Sequence, residues 1–363
     1  MKRREFLKAS ALVAASGAVA APAIAQSAPT LRWRLQSSYP MSLETLHGAC
    51  VFFAKAIAEA TDNRFSIEVF PAGALVPPLG VVDAVQTGSV EIGYTGSYFY
   101  IGKDTAYAFG TGIPFGLNSR QHNAWFYQGG GAELLNEFYT SQNMYHLTGG
   151  NTGTQMAGWF RKELKTTADL SGLKMRTAGF SGRIMQKFGL VPQQLGAADT
   201  YAALERGVLD AAEWVGPYDD EKIGFVKIAR YYYYPSFWEG NSALSFFINL
   251  DRWNALPRSY QSIVTSAAMA AASDMQAKYD ALNPPALYRL VGAGAQLRAI
   301  PPEILSDCYK AATEVYRELA EQNPRFKKLY DHVIAFRDMN YKWWQISDFS
   351  YDALMLRVIG QRT

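Results

Sequence analysis

The chain has 363 residues, 49% of them hydrophobic and 14% aromatic, with 35 Lys and Arg against 32 Asp and Glu. That length suffices for two lobes with well-buried cores, and the near-balanced charge carries no basic patch of the kind nucleic acids require. The two cysteines, Cys50 and Cys308, share no metal-ligand spacing and are expected to be buried free thiols.

The first residues read as a targeting segment. Lys2-Arg3-Arg4-Glu5-Phe6-Leu7-Lys8 is a basic region, Ala9–Ala21 a weakly hydrophobic Ala-rich run, and Ala23-Ile24-Ala25 a small-x-small cleavage site. Residues 1–25 are therefore expected to be a signal peptide, its paired arginines resembling a twin-arginine leader, with export to the periplasm. The apolar run is too short to span a bilayer. The leader holds Lys2, Arg3, Arg4 and Lys8 against Glu5, so its removal leaves 31 basic and 31 acidic residues and a near-neutral chain.

Beyond the leader, Leu31–Leu35 alternates as a strand does, and Leu43–Ala60 has helical spacing with Ser42 placed to cap it. Phe65–Val69 alternates again. Pro77-Pro78 introduces a helix over Leu79–Gln86 that Gly88 ends, and Val90–Tyr94 is a short strand. This β-α-β-α-β order predicts a sheet with helices on both faces. A fainter copy follows: strands over Gly172–Arg176 and Leu209–Ala212, with helices over Ser181–Phe188 and Thr200–Arg206 between them. From Pro257 the chain turns helical. The spacing predicts a long helix over Tyr260–Leu282, a returning strand over Gln296–Ile300, and helices over Pro302–Gln322, Phe326–Met339 and Ile346–Ile359.

Chemistry-bearing residues gather between Asn151 and Glu239. Gly149-Gly150-Asn151-Thr152-Gly153-Thr154-Gln155 opens the stretch, Gly172-Leu173-Lys174-Met175-Arg176 follows, and Asp210-Ala211-Ala212-Glu213-Trp214-Val215-Gly216-Pro217-Tyr218 and Tyr231–Tyr234 lead to Trp238-Glu239. One arginine, one amide, two carboxylates and many aromatics are the inventory of a pocket for a small anion. Glu213 and Glu239 sit beside tryptophans, which points to partial burial and a need for a counter-charge. His47, His122, His146 and His332 are scattered without metal or triad spacing and are read as structural.

The GLKMR strand at 172–176 and Gly207-Val208-Leu209-Asp210-Ala211-Ala212-Glu213-Trp214 resemble the solute-binding subunits of tripartite ATP-independent periplasmic (TRAP) transporters, the DctP family. The runs 149–155, 213–222 and Tyr231–Pro235 are similar to its 2-oxoacid-binding subgroup. The resemblance covers essentially the whole chain after the leader. It implies an α/β, two-lobed periplasmic binding protein fold of type II-like form, with a ligand cleft between lobes, a long interlobe helix and a helical C-terminal extension. In that frame lobe I is 31–150 plus about 240–270, lobe II is 151–239 plus about 271–325, and 326–363 is the extension, expected to be a dimerisation element.

The resemblance further implies that Arg176 holds the carboxylate of a small 2-oxo monocarboxylate, a guanidinium fork being able to grip a carboxylate bidentately. It assigns a cation site to Gln155, Glu213, the Trp214 carbonyl and Glu239. Such oxygen donors suit Na⁺ or Ca²⁺ rather than Zn²⁺. Charge counting leaves both open, and the subgroup resemblance favours Na⁺. Asn151 and Tyr100 are further candidates for polar contacts to the solute. The expected partners are the membrane permease and a second copy of the chain, with no nucleic acid and no catalytic activity. The alternatives weighed are a secreted enzyme using Glu213 and Glu239 as an acid/base pair, a binder of lactate or another carboxylate, and an extracellular sensor or interaction protein.

Overall fold

The computed structural model describes residues 29–360, so the expected leader lies outside the described residues. From Leu31 onward the chain forms one compact unit. Its strands are β1 (Leu31–Ser37), β2 (Phe65–Phe70), β3 (Ile92–Thr95), β4 (Met144–Asn151), β5 (Gly158–Phe160), β6 (Lys174–Arg176), β7 (Val191–Gln193), β8 (Ala211–Ala212), β9 (Tyr231–Tyr234), β10 (Ala243–Asn249) and β11 (Gln296–Ala299). They form a five-stranded sheet in the order β2-β1-β3-β10-β4 and a six-stranded sheet in the order β11-β9-β5-β8-β6-β7.

Local sequence explains the order. β1, β2 and β3 run parallel because helices Leu46–Ala60 and Val81–Gln86 carry the chain back between them. β10 returns from far along the chain and pairs antiparallel with both β3 and β4. Its run Ala243-Leu244-Ser245-Phe246-Phe247-Ile248-Asn249 is buried at every position, as a central strand covered on both faces must be. Between Leu244 and Ser245 the register with β4 shifts, leaving Gly149 without a partner. A Cβ on Gly149 would meet the Phe246 ring at 2.0 Å, so the bulge requires glycine there. The bulge comes two residues before the end of β4, where the chain leaves the first sheet for the second.

Several boundaries differ from the sequence-based expectation. The first helix is regular over Leu46–Ala60, and helical bonds from His47 and Gly48 already reach back to Leu43 and Glu44 ahead of it. The long helix spans Arg258–Gly292 and passes straight through Pro284 and Pro285. Each proline lacks an N–H and removes one helical bond. Side contacts bracket the gap: Asn283 Oδ1 accepts from the Tyr218 N–H at 3.0 Å, and Arg289 pairs with both oxygens of Glu221 at 2.8 and 2.7 Å. Both contacts come from helix Pro217–Ile223, which packs along this half of the long helix.

Helices Pro302–Gln322, Pro324–Ile346 and Asp348–Gly360 complete the chain. The last has no buried residue, and Phe349, Tyr351, Leu354, Leu356 and Ile359 are all exposed. It is tethered at its start, where Arg120 pairs with Asp348 and lies over the Trp344 ring. Cys50 and Cys308 are buried free thiols, as expected. Burial pushes both upward from the ordinary thiol range, Cys308 to about 12. Among the described residues no helix is long and apolar enough to cross a membrane.

Candidate functional site

The crossing from the first sheet to the second runs through residues 152–157, and the backbone there is held from both sides. Thr152 N–H donates to Ser242 O at 3.1 Å, Gln155 N–H to Glu239 O at 3.1 Å, and Ser236 N–H to Gln155 O at 3.1 Å. Met156 N–H donates to Val215 O at 3.0 Å and Ala157 N–H to Tyr233 O at 2.8 Å. The crossing segment thus zips together the stretches carrying Glu213-Trp214-Val215 and Trp238-Glu239. Three regions distant in sequence deliver their side chains to one place.

Arg176, at the end of β6, is 2% exposed, and Glu213, just past β8, is 1% exposed. Glu213 N–H donates to Arg176 O at 3.2 Å, which places the two side chains on the same edge of the second sheet. Arg176 Nη1 donates to the Glu213 carbonyl and to Glu213 Oε1, each at 2.7 Å, and Nε donates to Leu195 O at 3.1 Å. The guanidinium carbon lies 4.5 Å over the Trp214 ring. Three of the five N–H donors are therefore committed to the protein, and the two that remain both belong to Nη2. The open bidentate fork expected from the sequence is replaced by a single free corner.

Buried acceptors around this corner lack donors. Gln155 uses its amide Nε2 to bond Thr152 Oγ1 at 3.1 Å, which leaves Gln155 Oε1 aimed elsewhere. Gln155 Oε1, Glu213 Oε2 and Glu239 Oε2 are all buried without a hydrogen-bond partner. The Trp214 carbonyl accepts no hydrogen bond among the described residues, and the Trp214 indole N–H is buried without an acceptor. Burial raises Glu213 to about 6 against the pull of Arg176. Burial, and then the charge of Glu213, holds Glu239 well above the usual carboxylate range. Two carboxylates face one guanidinium, so the site is short of one positive charge.

Beside this cluster is a small pocket with about 270 Å³ of empty space, part of it open to solvent. Arg176, Gln155, Thr152, Trp214 and Tyr98 line it together with the apolar Leu46, Phe99, Val215 and Leu244. Two candidates from the sequence stand apart from its lining. Asn151 spends its amide locally, donating to Asn241 Oδ1 at 3.1 Å and accepting from Gly153 N–H at 2.9 Å. The Tyr100 hydroxyl accepts from Val82 N–H at 3.4 Å. Tyr98, two residues earlier in the same 3-10 turn, faces the pocket, and its hydroxyl partly offsets the upward shift of Glu239. Tyr39 and Leu46, from the first quarter of the chain, also reach the pocket. Nothing in their local sequence sets them apart from core residues. Among the described residues no three His, Cys, Asp or Glu cluster as a metal centre. The unpartnered oxygens here belong to two carboxylates and an amide, with the Trp214 carbonyl beside them.

Comparison with known proteins gives consistent matches. The family model for bacterial extracellular solute-binding proteins, family 7 (DctP), matches residues 37–323. A monocarboxylate 2-oxoacid-binding periplasmic protein, all3028, of Nostoc sp. is 44% identical over 358 residues, covering 97% of this chain and 98% of the relative. A TRAP transporter solute-binding protein from Bordetella bronchiseptica superposes with a TM-score of 0.91 at 44% identity, over 92% of this chain and 100% of that one. That structure is a dimer of mixed occupancy, with copurified calcium and picolinate in one site. A second, from Pseudoalteromonas atlantica, has a TM-score of 0.86 at 35% identity over 89% of this chain and 98% of that one, and holds sodium and pyruvate.

Proposed function

The chain belongs to the bacterial extracellular solute-binding proteins of family 7, the DctP family of TRAP-transporter solute-binding proteins, and we propose that its solute is a small 2-oxo monocarboxylate captured together with a cation. The observation that carries this proposal is the set of buried oxygens without donors, Gln155 Oε1, Glu213 Oε2 and Glu239 Oε2, beside an arginine with one free corner. Buried carboxylate oxygens without partners are costly. A hard cation supplies the missing counter-charge, and the donor set of two carboxylates, an amide oxygen and the Trp214 carbonyl fits one. Structurally similar proteins hold sodium or calcium with pyruvate. We assign Na⁺ first, with Ca²⁺ satisfying the same donors.

In this assignment Arg176 Nη2 receives the solute carboxylate, and the Trp214 indole N–H is a second donor for it or for the 2-substituent. Glu213 holds the guanidinium in place through both Nη1 contacts. The apolar Leu46, Phe99 and Leu244 face the carbon tail. The sheets are taken as the two lobes of a periplasmic receptor that releases its solute to the membrane permease. The role is binding without turnover, in keeping with the solute-binding family to which the chain belongs. The exposed apolar face of the terminal helix, Asp348–Gly360, is assigned to a second copy of the chain.

Calorimetry with pyruvate tests the core of the proposal. One-site binding is expected in NaCl or CaCl2, and it should vanish in a sodium-free, chelated buffer. Binding that is indifferent to both cations removes the cation from recognition. Failure of pyruvate and of longer 2-oxoacids to bind with either cation rejects the solute class. Consumption of pyruvate on prolonged incubation, followed by NMR, rejects the non-enzymatic role.

A further inference from the structure

Thr45 directly precedes helix Leu46–Ala60, in helical backbone conformation, and a threonine there can turn its hydroxyl to a nearby backbone group of the same helix. It makes no such bond. Instead the hydroxyl donates to Asp219 Oδ1 at 2.9 Å, across 174 positions of sequence. Both residues are buried. The threonine side chain is committed to a distant partner.

The partners stand on opposite walls of the pocket. Leu46, the residue after Thr45, lines it, and so do Trp214 and Val215, which lead into the helix Pro217–Ile223 that carries Asp219. That helix bears two consecutive buried aspartates that face different ways. Asp219 bonds Thr45 on the first-sheet side and the Tyr279 hydroxyl of the long helix at 2.6 Å. Asp220 accepts from Trp159 Nε1 at 3.0 Å and from the Tyr232 hydroxyl at 2.7 Å, both on the second sheet. Asp220 thus fastens the helix to one sheet, and Asp219 reaches across to the other. The surrounding polar contacts are weaker candidates for this task. Tyr218 and Lys222 both meet Glu44, but the Glu44 side chain is 68% exposed, and exposed pairs contribute little.

We propose that the Thr45–Asp219 hydrogen bond is a latch between the two walls of the pocket and sets the rate at which a bound solute leaves. The consequence for solute release rests on the binding role proposed above; the latch itself does not. A buried bond to a carboxylate contributes while the walls are together and is exchanged for water when they part. Entry requires parted walls, so the latch acts on dissociation, where most affinity differences between related complexes arise. Thr45 and Asp219 are positioning residues, since neither lines the pocket.

The test compares Thr45→Val, which keeps the shape and removes the donor, with Thr45→Ser, which keeps the donor. Pyruvate release in CaCl2 is followed by stopped-flow tryptophan fluorescence on chelation. Hydrogen exchange of the ligand-free proteins is measured over residues 46–48 and 217–223. Thr45→Val is expected to release pyruvate about tenfold faster with association nearly unchanged, and to exchange faster in both segments while the protein stays folded with a melting temperature lowered by no more than about 2–4 °C. Thr45→Ser is expected to match the wild type in both. Wild-type release from Thr45→Val, or equal acceleration in Thr45→Ser, overturns the latch. If the wild type binds no pyruvate, the solute assignment fails separately. Unchanged exchange in Thr45→Val then overturns the latch without any ligand.

Discussion

Arg176 gives both hydrogens of Nη1 to Glu213, one to its backbone carbonyl and one to its carboxylate, each at 2.7 Å. The pair is a buried salt bridge whose second carboxylate oxygen is left without a donor. In the proposed assignment, the residue that receives the solute is thus oriented by the residue that meets the cation.

Arg176→Lys tests that coupling. An ammonium can satisfy Glu213 or a solute carboxylate, but it lacks the planar reach to serve both. Pyruvate affinity is expected to fall at least about a hundredfold, about 3 kcal/mol, while the protein stays folded. Arg176→Ala strands a buried carboxylate and is expected to cost about 3–5 kcal/mol of stability as well. Calorimetry and thermal melting together separate the two effects.

Gln155→Leu removes the unpartnered oxygen and preserves the approximate shape. Its backbone bonds to Glu239 and Ser236 remain, and the lost Nε2 bond to Thr152 is offset by removal of the unpartnered buried oxygen, so the melting temperature of the ligand-free protein should change little. Cation-dependent binding should weaken about tenfold or more, as expected when a hard cation loses one oxygen donor. Unchanged cation dependence in titrations at varied CaCl2 excludes Gln155 from the cation site.

Binding should also follow pH in a definite direction. Glu213 is raised to about 6, and Glu239 lies well above its ordinary range, both chiefly through burial. A cation must displace those protons, so affinity is expected to rise from pH 6 to pH 8 with measurable proton release. Ligand-free stability has the opposite slope. Carboxyls raised in the folded state bind extra protons there, a contribution complete below their unfolded values near about 4.3 and lost as pH rises through the folded ones. Calorimetry in buffers of different ionisation enthalpy, with scanning calorimetry at both pH values, reads the two slopes. Stability that rises with pH in the ligand-free protein contradicts the assignment.

The terminal helix yields a prediction about assembly. Leu356, 74% exposed, is the most exposed of the large apolar side chains on this helix. Leu356→Glu is expected to shift a dimer to monomer in sedimentation velocity while leaving pyruvate affinity within about threefold. A wild-type monomer at all concentrations rules out the second copy as the covering surface.

Much of this was legible in the sequence, and the gaps have physical causes. Periodicity located most strands and helices because each buries a repeating face. It ended the long helix at Leu282 because two prolines normally stop a helix, whereas here side contacts from Tyr218 and Glu221 sustain it. Gln155, Arg176, Glu213 and Trp214 stood out as a polar and aromatic set within one stretch, and the fold gathers them. Tyr98 and Tyr100 are both buried in one 3-10 turn, and sequence spacing does not resolve which of them lines the pocket, where the structure places Tyr98. Leu46 and the Thr45–Asp219 bond were invisible, since they depend on contacts between residues nearly half the chain apart.

The two thiols offer a practical return. Cys50 and Cys308 are buried, unpaired and far less acidic than an ordinary cysteine, so alkylating reagents find no ready thiolate on the native protein. The natural chain is therefore a silent background for maleimide chemistry. One cysteine introduced at an exposed position on either side of the pocket can carry a fluorophore alone, and the receptor becomes a reagentless optical sensor for its own solute.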